Sequence, residues 1–500
     1  MKAIYISLVL ILSITAISCS GGGDSSPSSS TSTTDDTTDT DANLSTAMEL
    51  SVTIPSITPS DEFICIDFDD SKSPLKMQEV YTGKWNLTLS QDMFESSQYK
   101  YCRNCECEAA DEYFDGVEIG WRSLDFQVGT TQEDNVAKWR WYTSELTSFE
   151  LNTTAYKTIV PPDMNKSNFM AGVMLNDWWK KEWLASVDTT MDRILNDTKS
   201  NWIQYTPIPE ITQLYPSPLI VKDASNGTSD AELIQIISSA HAKGLKVFLN
   251  PSPWSFVEDN TPSDHNQTWW NEFEAQWRPI MLHYAQLAQD NSVEMLEFKM
   301  WPNIDALTTA EADKMNTLAS TLLTDVRSIY TGFIAVQAIM YDTSMPVLDV
   351  HRNGDFIATN LWSYYPWHLG VTKDDNVTEI LSNLESEMDT WMLSYYENNV
   401  TKPIIIEQLS AKSYDGGMVQ LNSYDEAINP FYENNTSWNI DLQEQADVYE
   451  AALYAISKRG YVQGTFAFSF FYWNSIDKDL NIRGKPASGV VSKWYSWMKN

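Results

Sequence analysis

The stretch NWIQYTPIPEITQLYPSP (residues 201–218), continued by SDAELIQIISSAHAKGLKVFLNPSPW (229–254), decides the fold. Trp202–Pro207 reads as a strand: a short aromatic and β-branched run ended by prolines. Ser229 and Glu232 have the spacing of a capping box, in which each residue's side chain satisfies a backbone N–H of the other. Leu233, Ile236, Ile237 and Ala240 then recur at helical spacing. Gly244 stops the helix, because a glycine takes the left-handed turn after a C-terminus at little cost. Lys246–Pro251 is the next strand. Strand, loop, capped helix and strand make one βα unit of a parallel sheet.

The same rhythm runs from residue 166 to 500. Strand-like runs occupy Phe169–Asn176, Trp202–Pro207, Lys246–Pro251, Val293–Trp301, Gly332–Tyr341, Phe356–Tyr364, Pro403–Gln408 and Val462–Trp473. Helical stripes such as Met315, Leu318, Leu322 and Val326, or Ile380, Leu384, Met388 and Trp391, lie between them. Eight units are the number that closes a (β/α)8 TIM barrel, so the fold class is α/β with the barrel over 166–500.

The first third is organised differently. Lys2, an apolar run from Ile4 to Ile17, and small residues up to Cys19 form a secretory signal over 1–19. Ala16-Ile17-Ser18-Cys19 resembles the bacterial lipobox, which implies lipid on Cys19 and a place in the bacterial cell envelope, in contact with membrane through that anchor only. Residues 20–48, nearly all Ser, Thr, Asp and Gly, bury too little apolar surface to order themselves and read as a tether. Residues 49–165 read as a small β-rich accessory domain, with strands expected at Phe63–Phe68, Trp85–Leu89, Gly116–Trp121 and Ser148–Leu151. It holds Cys65, Cys102, Cys105 and Cys107, read as up to two disulfides in an oxidising compartment. A zinc site is the lesser alternative, since no second cluster or nearby histidine completes four ligands. The net charge of −35 argues against a nucleic-acid partner, which requires clustered Lys and Arg. Five scattered histidines point to no metal, and no cofactor motif is present.

The 201–218 and 229–254 stretches, with WWNEFEAQWRPIMLHYAQLAQDNSVEML (269–296), ATNLWSYYP (358–366) and KPIIIEQLSA (402–411), resemble glycoside hydrolase family 113 and its relatives in the large clan of retaining (β/α)8 glycosidases. The resemblance covers about residues 166 to 475 and implies hydrolysis of a β-linked polysaccharide or oligosaccharide, mannan-like in kind. It implies that Glu407, which follows three isoleucines at a strand end, is the nucleophile, since this fold places chemistry at the C-terminal ends of its strands. It further implies that Tyr364 hydrogen-bonds Glu407.

The chain departs from the family pattern at strand four. There the resemblance calls for a second glutamate as acid/base, and in VEMLEFKMWP (293–302) that position is Trp301. Glu297 stands in as the candidate acid/base: Glu297, Lys299 and Trp301 share one face by strand alternation, with Glu297 below the barrel mouth. Asp177, Glu210, Asp305 and Asp342 are other carboxylates near strand ends. The 20 tryptophans and 24 tyrosines bear on the ligand, because flat rings stack on sugar faces. Trp178, Trp179, Trp254, Trp301, Trp362, Tyr365, Trp367 and Trp473 are the aromatics placed to ring the mouth, and Asn250 and His351 the polar contacts. The missing strand-four glutamate also leaves open a non-catalytic glycan-binding lipoprotein on a degenerate barrel.

Overall fold

The computed structural model describes residues 46–114, 120–142, 168–175, 179–222, 227–255, 265–300, 309–338, 347–362, 377–415 and 439–499. Eight parallel strands close a barrel in chain order: β1 (Met170–Leu175), β2 (Trp202–Tyr205), β3 (Lys246–Leu249), β4 (Met295–Phe298), β5 (Phe333–Gln337), β6 (Phe356–Trp362), β7 (Ile404–Ser410) and β8 (Val462–Phe470), with β8 pairing back onto β1. Seven fall within the runs expected from the sequence, and β7 runs two residues past the expected end at Gln408. The helix at Asp230–Ala242 starts as its capping box requires: Ser229 Oγ accepts from the Glu232 N–H and Glu232 Oε2 accepts from the Ser229 N–H. Such a cap contributes about 1 kcal/mol. Gly244 follows at φ +77°, in the left-handed region.

One inward side chain from each strand fills the barrel axis. Met170, Trp202, Phe248, Met295, Ala335, Ala358, Ile405 and Phe466 form a single buried apolar cluster. The plug is tight enough that a Cβ on Gly172 would lie 2.2 Å from the Phe466 ring, so β1 has no side chain there. The residues facing outward, among them Val173, Ile203, Leu296, Ile334 and Ile406, join the helices in the main core.

The N-terminal unit is built from two four-stranded sheets. One has the order Gln78–Tyr81, Lys84–Ser90, Ala47–Thr53, Thr131–Asn135, and the other Leu75–Lys76, Ile64–Phe68, Gln98–Arg103, Arg122–Ser123. The first strand begins at Ala47, two residues before the boundary expected at 49. Met48, Leu50 and Val52 alternate inward there, a pattern too short to stand out beside the Ser/Thr tract. Strands occur at Ile64–Phe68 and Lys84–Ser90 as expected. Of the run expected at Gly116–Trp121, residues 115–119 lie outside the described residues, and the observed strand is Arg122–Ser123. The strand expected at Ser148–Leu151, the signal segment with Cys19, and the tether to residue 45 also lie outside them. The four cysteines pair as Cys65–Cys105 and Cys102–Cys107.

This unit docks on the barrel beside β8 and β1. Buried Arg103 donates from Nη1 to Glu62 Oε2 (2.6 Å) and to the carbonyl of Asn474 (2.9 Å). Asn104 Nδ2 donates to the carbonyl of Tyr472 (2.7 Å), and Asp61 pairs with both Arg193 and Arg483 at 3.1 Å. Breaking a buried ion pair by removing one partner costs about 3–5 kcal/mol, so these contacts fix the segment that follows β8.

The Cys65–Cys105 bridge spans 40 residues of sequence and ties the strand Ile64–Phe68 to the loop that follows Gln98–Arg103. Its removal by Cys65→Ser with Cys105→Ser should destabilise the N-terminal unit by about 2–5 kcal/mol. A chemical unfolding curve followed through the unit's tryptophans checks this, and an unchanged midpoint would refute it.

Candidate active site

Strand alternation carries the plug directly into the site. Two residues beyond Trp202, Phe248, Met295, Ala335, Ala358 and Ile405 stand Gln204, Asn250, Glu297, Gln337, Asn360 and Glu407. Successive inward residues on a strand lie two apart, so these six form a polar tier immediately above the apolar plug. All six are buried. The register of β7 against β6 shifts at this level, from Thr359–Ile406 to Asn360–Gln408, leaving Glu407 as the extra residue. Such a bulge re-aims a side chain. Here it accompanies Gln408, half-buried beyond Glu407, donating to Met174 Sδ.

The Glu407 carboxylate has a defined set of donors. Asn250 Nδ2 donates to Oε2 at 3.0 Å and Gln337 Nε2 donates to Oε1 at 3.0 Å. Lys299, one step above Glu297 on β4, places Nζ 3.9 Å from Glu407 Oε2 and 3.4 Å from Glu297 Oε1. The indole N–H of Trp277 donates to the Lys299 carbonyl at 2.7 Å and anchors that strand end. Glu297 is otherwise bare: neither of its oxygens has a hydrogen-bond partner, although both are buried. Burial, and then the adjacent charge of Glu407, push the Glu297 carboxyl well above the usual carboxylate range, against the opposing pull of Lys299. The tier thus holds two carboxyl groups in opposite environments, one fitted with donors to the anion and one suited to a proton. Both polar atoms of the Gln204 side-chain amide and the carbonyl oxygens of Asn250, Gln337, Asn360 and Gln408 also lack protein partners. Each such orphan costs about 1–3 kcal/mol, which marks the tier as a place that receives water or ligand.

The remaining expectations fall in three groups. Tyr364, Trp178, Trp301, Tyr365, Trp367, Asp177, Asp305 and Asp342 lie outside the described residues. Trp254 and Trp362 are described in backbone only: Trp254 is in a short strand beside Glu210, and Trp362 ends β6 opposite Ser410. Trp179 and Trp473 are buried rings. Trp179 makes edge contacts with Trp183, Tyr205 and Tyr472, and Trp473 stacks on Phe471 at 4.6 Å. The docked N-terminal unit explains this packing, because it holds the segment carrying Tyr472 and Asn474 against the barrel. A cavity of about 860 Å³ lies between that unit and the segments following β1 and β2, with Pro74, Trp179, Lys180, Lys222 and Glu232 in its wall.

His241 pairs with Glu294 on the barrel exterior. His351 sits behind β5, its Nε2 3.1 Å from the Gln337 carbonyl, and burial holds its pKa down at about 4. It braces the strand that presents Gln337. Sequence reasoning missed Gln337, Gln204 and Gln408. The signal that finds Gln337 and Gln204 is an inward apolar residue followed two positions later by an amide.

A carboxyl whose pKa rises on folding binds its proton more tightly in the folded chain. Its favourable contribution is complete below the unfolded value of 4.5 and is lost as pH rises through the folded value. Glu297→Gln carries no such dependence. Its stability relative to wild type should therefore improve as pH rises above about 5. Unfolding midpoints of both proteins over that rise in pH check this, and a flat difference would contradict it.

A family model, Glycoside Hydrolase Family 113, matches residues 178–481. A solved GH113 beta-1,4-mannanase is 19% identical over 66% of this chain and 99% of its own, with a TM-score of 0.50, and shares the fold. The GH113 beta-mannanase from Alicyclobacillus acidocaldarius in complex with ManMIm is 19% identical over 67% of this chain and 100% of its own, with a TM-score of 0.48. No curated protein matches. Eight parallel strands closed in order, a buried carboxyl group on the seventh, and a family match over most of the barrel agree on one conclusion: the chain belongs to glycoside hydrolase family 113.

Proposed function

We propose that this glycoside hydrolase cleaves a β-linked polysaccharide or oligosaccharide, mannan-like in kind, with retention of configuration. The observation that carries the reading is the split environment of Glu407 and Glu297 in one barrel tier. Retaining hydrolysis requires a carboxylate nucleophile beside a carboxylic acid. Glu407, oriented by Asn250 and Gln337, attacks the anomeric carbon and forms a glycosyl ester. Glu297 gives its proton to the departing glycosidic oxygen. Water then cleaves the ester, with Glu297 taking back a proton, so that both groups return to their starting states. The substrate class rests on the two mannanases to which the barrel is similar.

Glu407→Gln should lower turnover of β-mannan or manno-oligosaccharide by at least about 10³-fold while leaving oligosaccharide affinity within about 10-fold. Reducing-end release and calorimetric titration read the two quantities. Wild-type protein that binds glycans but releases no new reducing ends from any β-linked polysaccharide overturns the reading.

We also propose export and lipid anchoring at Cys19. Lys2, the apolar run Ile4–Ile17 and Ala16–Cys19 motivate it, and the two disulfides support an oxidising compartment. Cys19→Ser should move the protein from the membrane fraction to the soluble fraction of the envelope. Equal membrane partitioning of the variant and wild type would argue against the anchor.

A further inference from the structure

We propose that Lys299 is a positioning residue that holds the Glu297–Glu407 pair at one negative charge, with the charge on Glu407 and the proton on Glu297. Three ionisable side chains meet in a closed volume: Lys299 Nζ stands 3.4 Å from Glu297 and 3.9 Å from Glu407, and all three are buried. Two ionised carboxylates beside one ammonium leave the interior with a net negative charge, and two protonated ones leave it positive. One of each is neutral, which is the cheapest state for a cluster this deeply buried.

The hydrogen bonds say which carboxyl carries the charge. Both amide donors, Asn250 Nδ2 and Gln337 Nε2, point at Glu407 and none at Glu297. An ionised Glu297 would have only Lys299, at 3.4 Å, to meet its lone pairs, whereas a protonated one has a donor to offer its neighbour. The side chains facing the triad from the other strands, Gln204 on β2, Asn250 beyond β3, Gln337 on β5 and Asn360 on β6, are uncharged. Behind β5, His351 is neutral near pH 7, since burial holds its pKa at about 4. Among the described residues Lys299 is therefore the cation that sets how many protons the pair keeps.

Lys299 also lies immediately after β4, two residues before Trp301, which fills the family's acid/base position. Its role in turnover rests on the hydrolase reading above. Its role in protonation does not, and the experiment separates the two.

Infrared spectra of protein carrying carboxyl-¹³C glutamate, near neutral pH, should show one protonated-carboxyl band that disappears in Glu297→Gln. Lys299→Met should gain a second such band, absent from Lys299→Met combined with Glu407→Gln, while Lys299→Arg retains the wild-type pattern. In an active enzyme the acidic limb of kcat/KM should rise by about one to three pH units in Lys299→Met and stay in place in Lys299→Arg. If Lys299→Met does not fold, the wild-type and Glu297→Gln spectra still decide: no band lost on substituting Glu297 overturns the proposal. An unchanged spectrum in a folded Lys299→Met, or an unmoved acidic limb, overturns it as well. The expected spectra from a protein that hydrolyses no glycan uphold the proton assignment and refute the hydrolase reading instead.

Discussion

A buried carboxyl group resting on an apolar plug organises this barrel. Glu407 has Ile405 two residues below it and no contact with bulk water, so its charge has to be met by the wall of the barrel. It is met from three strands, by Asn250, Gln337 and Lys299. Much of the interior follows from this. Phe248 and Ala335 lie directly beneath the two amides, Trp277 pins the strand end that carries Lys299, and His351 braces the strand that carries Gln337. An unpaired carboxylate there would cost several kcal/mol, comparable with the net stability of a domain.

The same constraint gives the second carboxyl its character. Glu297 shares the tier and the lysine but receives neither of the amide donors that hold Glu407. Two acids of the same type thus become chemically unlike through neighbours alone. The amide oxygens around them have no protein partner, so the tier offers acceptors to water or to a hydroxyl-rich ligand.

The N-terminal unit takes part in shaping the barrel. Its disulfide-bonded loop contributes Arg103 and Asn104, which grip the segment after β8, and Asp61 ties Arg193 to Arg483. That grip packs Trp179, Trp183, Tyr472 and Trp473 together over the β8 and β1 side. Because its contacts fall at the C-terminal ends of the strands, the unit borders the face on which this fold carries its chemistry.

The sequence by itself determined the eight strands and their order, the capped helix at Asp230–Ala242, the confinement of four cysteines to one β-rich unit, and the place of Glu407 on the seventh strand, which runs on to Ser410 rather than ending beside it. These features are local, written in alternation, helical period and turn residues within a few positions of one another. Part of the candidate site was legible for the same reason: Glu297 and Lys299 share a face by simple counting along β4. Only the tertiary structure decided that Asn250 meets Glu407 across 157 residues, that Gln337 is its second donor, and that the lysine lies between the two carboxyls. Those facts depend on barrel closure and on the one-residue bulge in β7, which set the relative height of strands distant in sequence. The burial of Trp179 and Trp473 is tertiary in origin too, since a strand-end aromatic has the same sequence signature whether it faces a cleft or a docked domain.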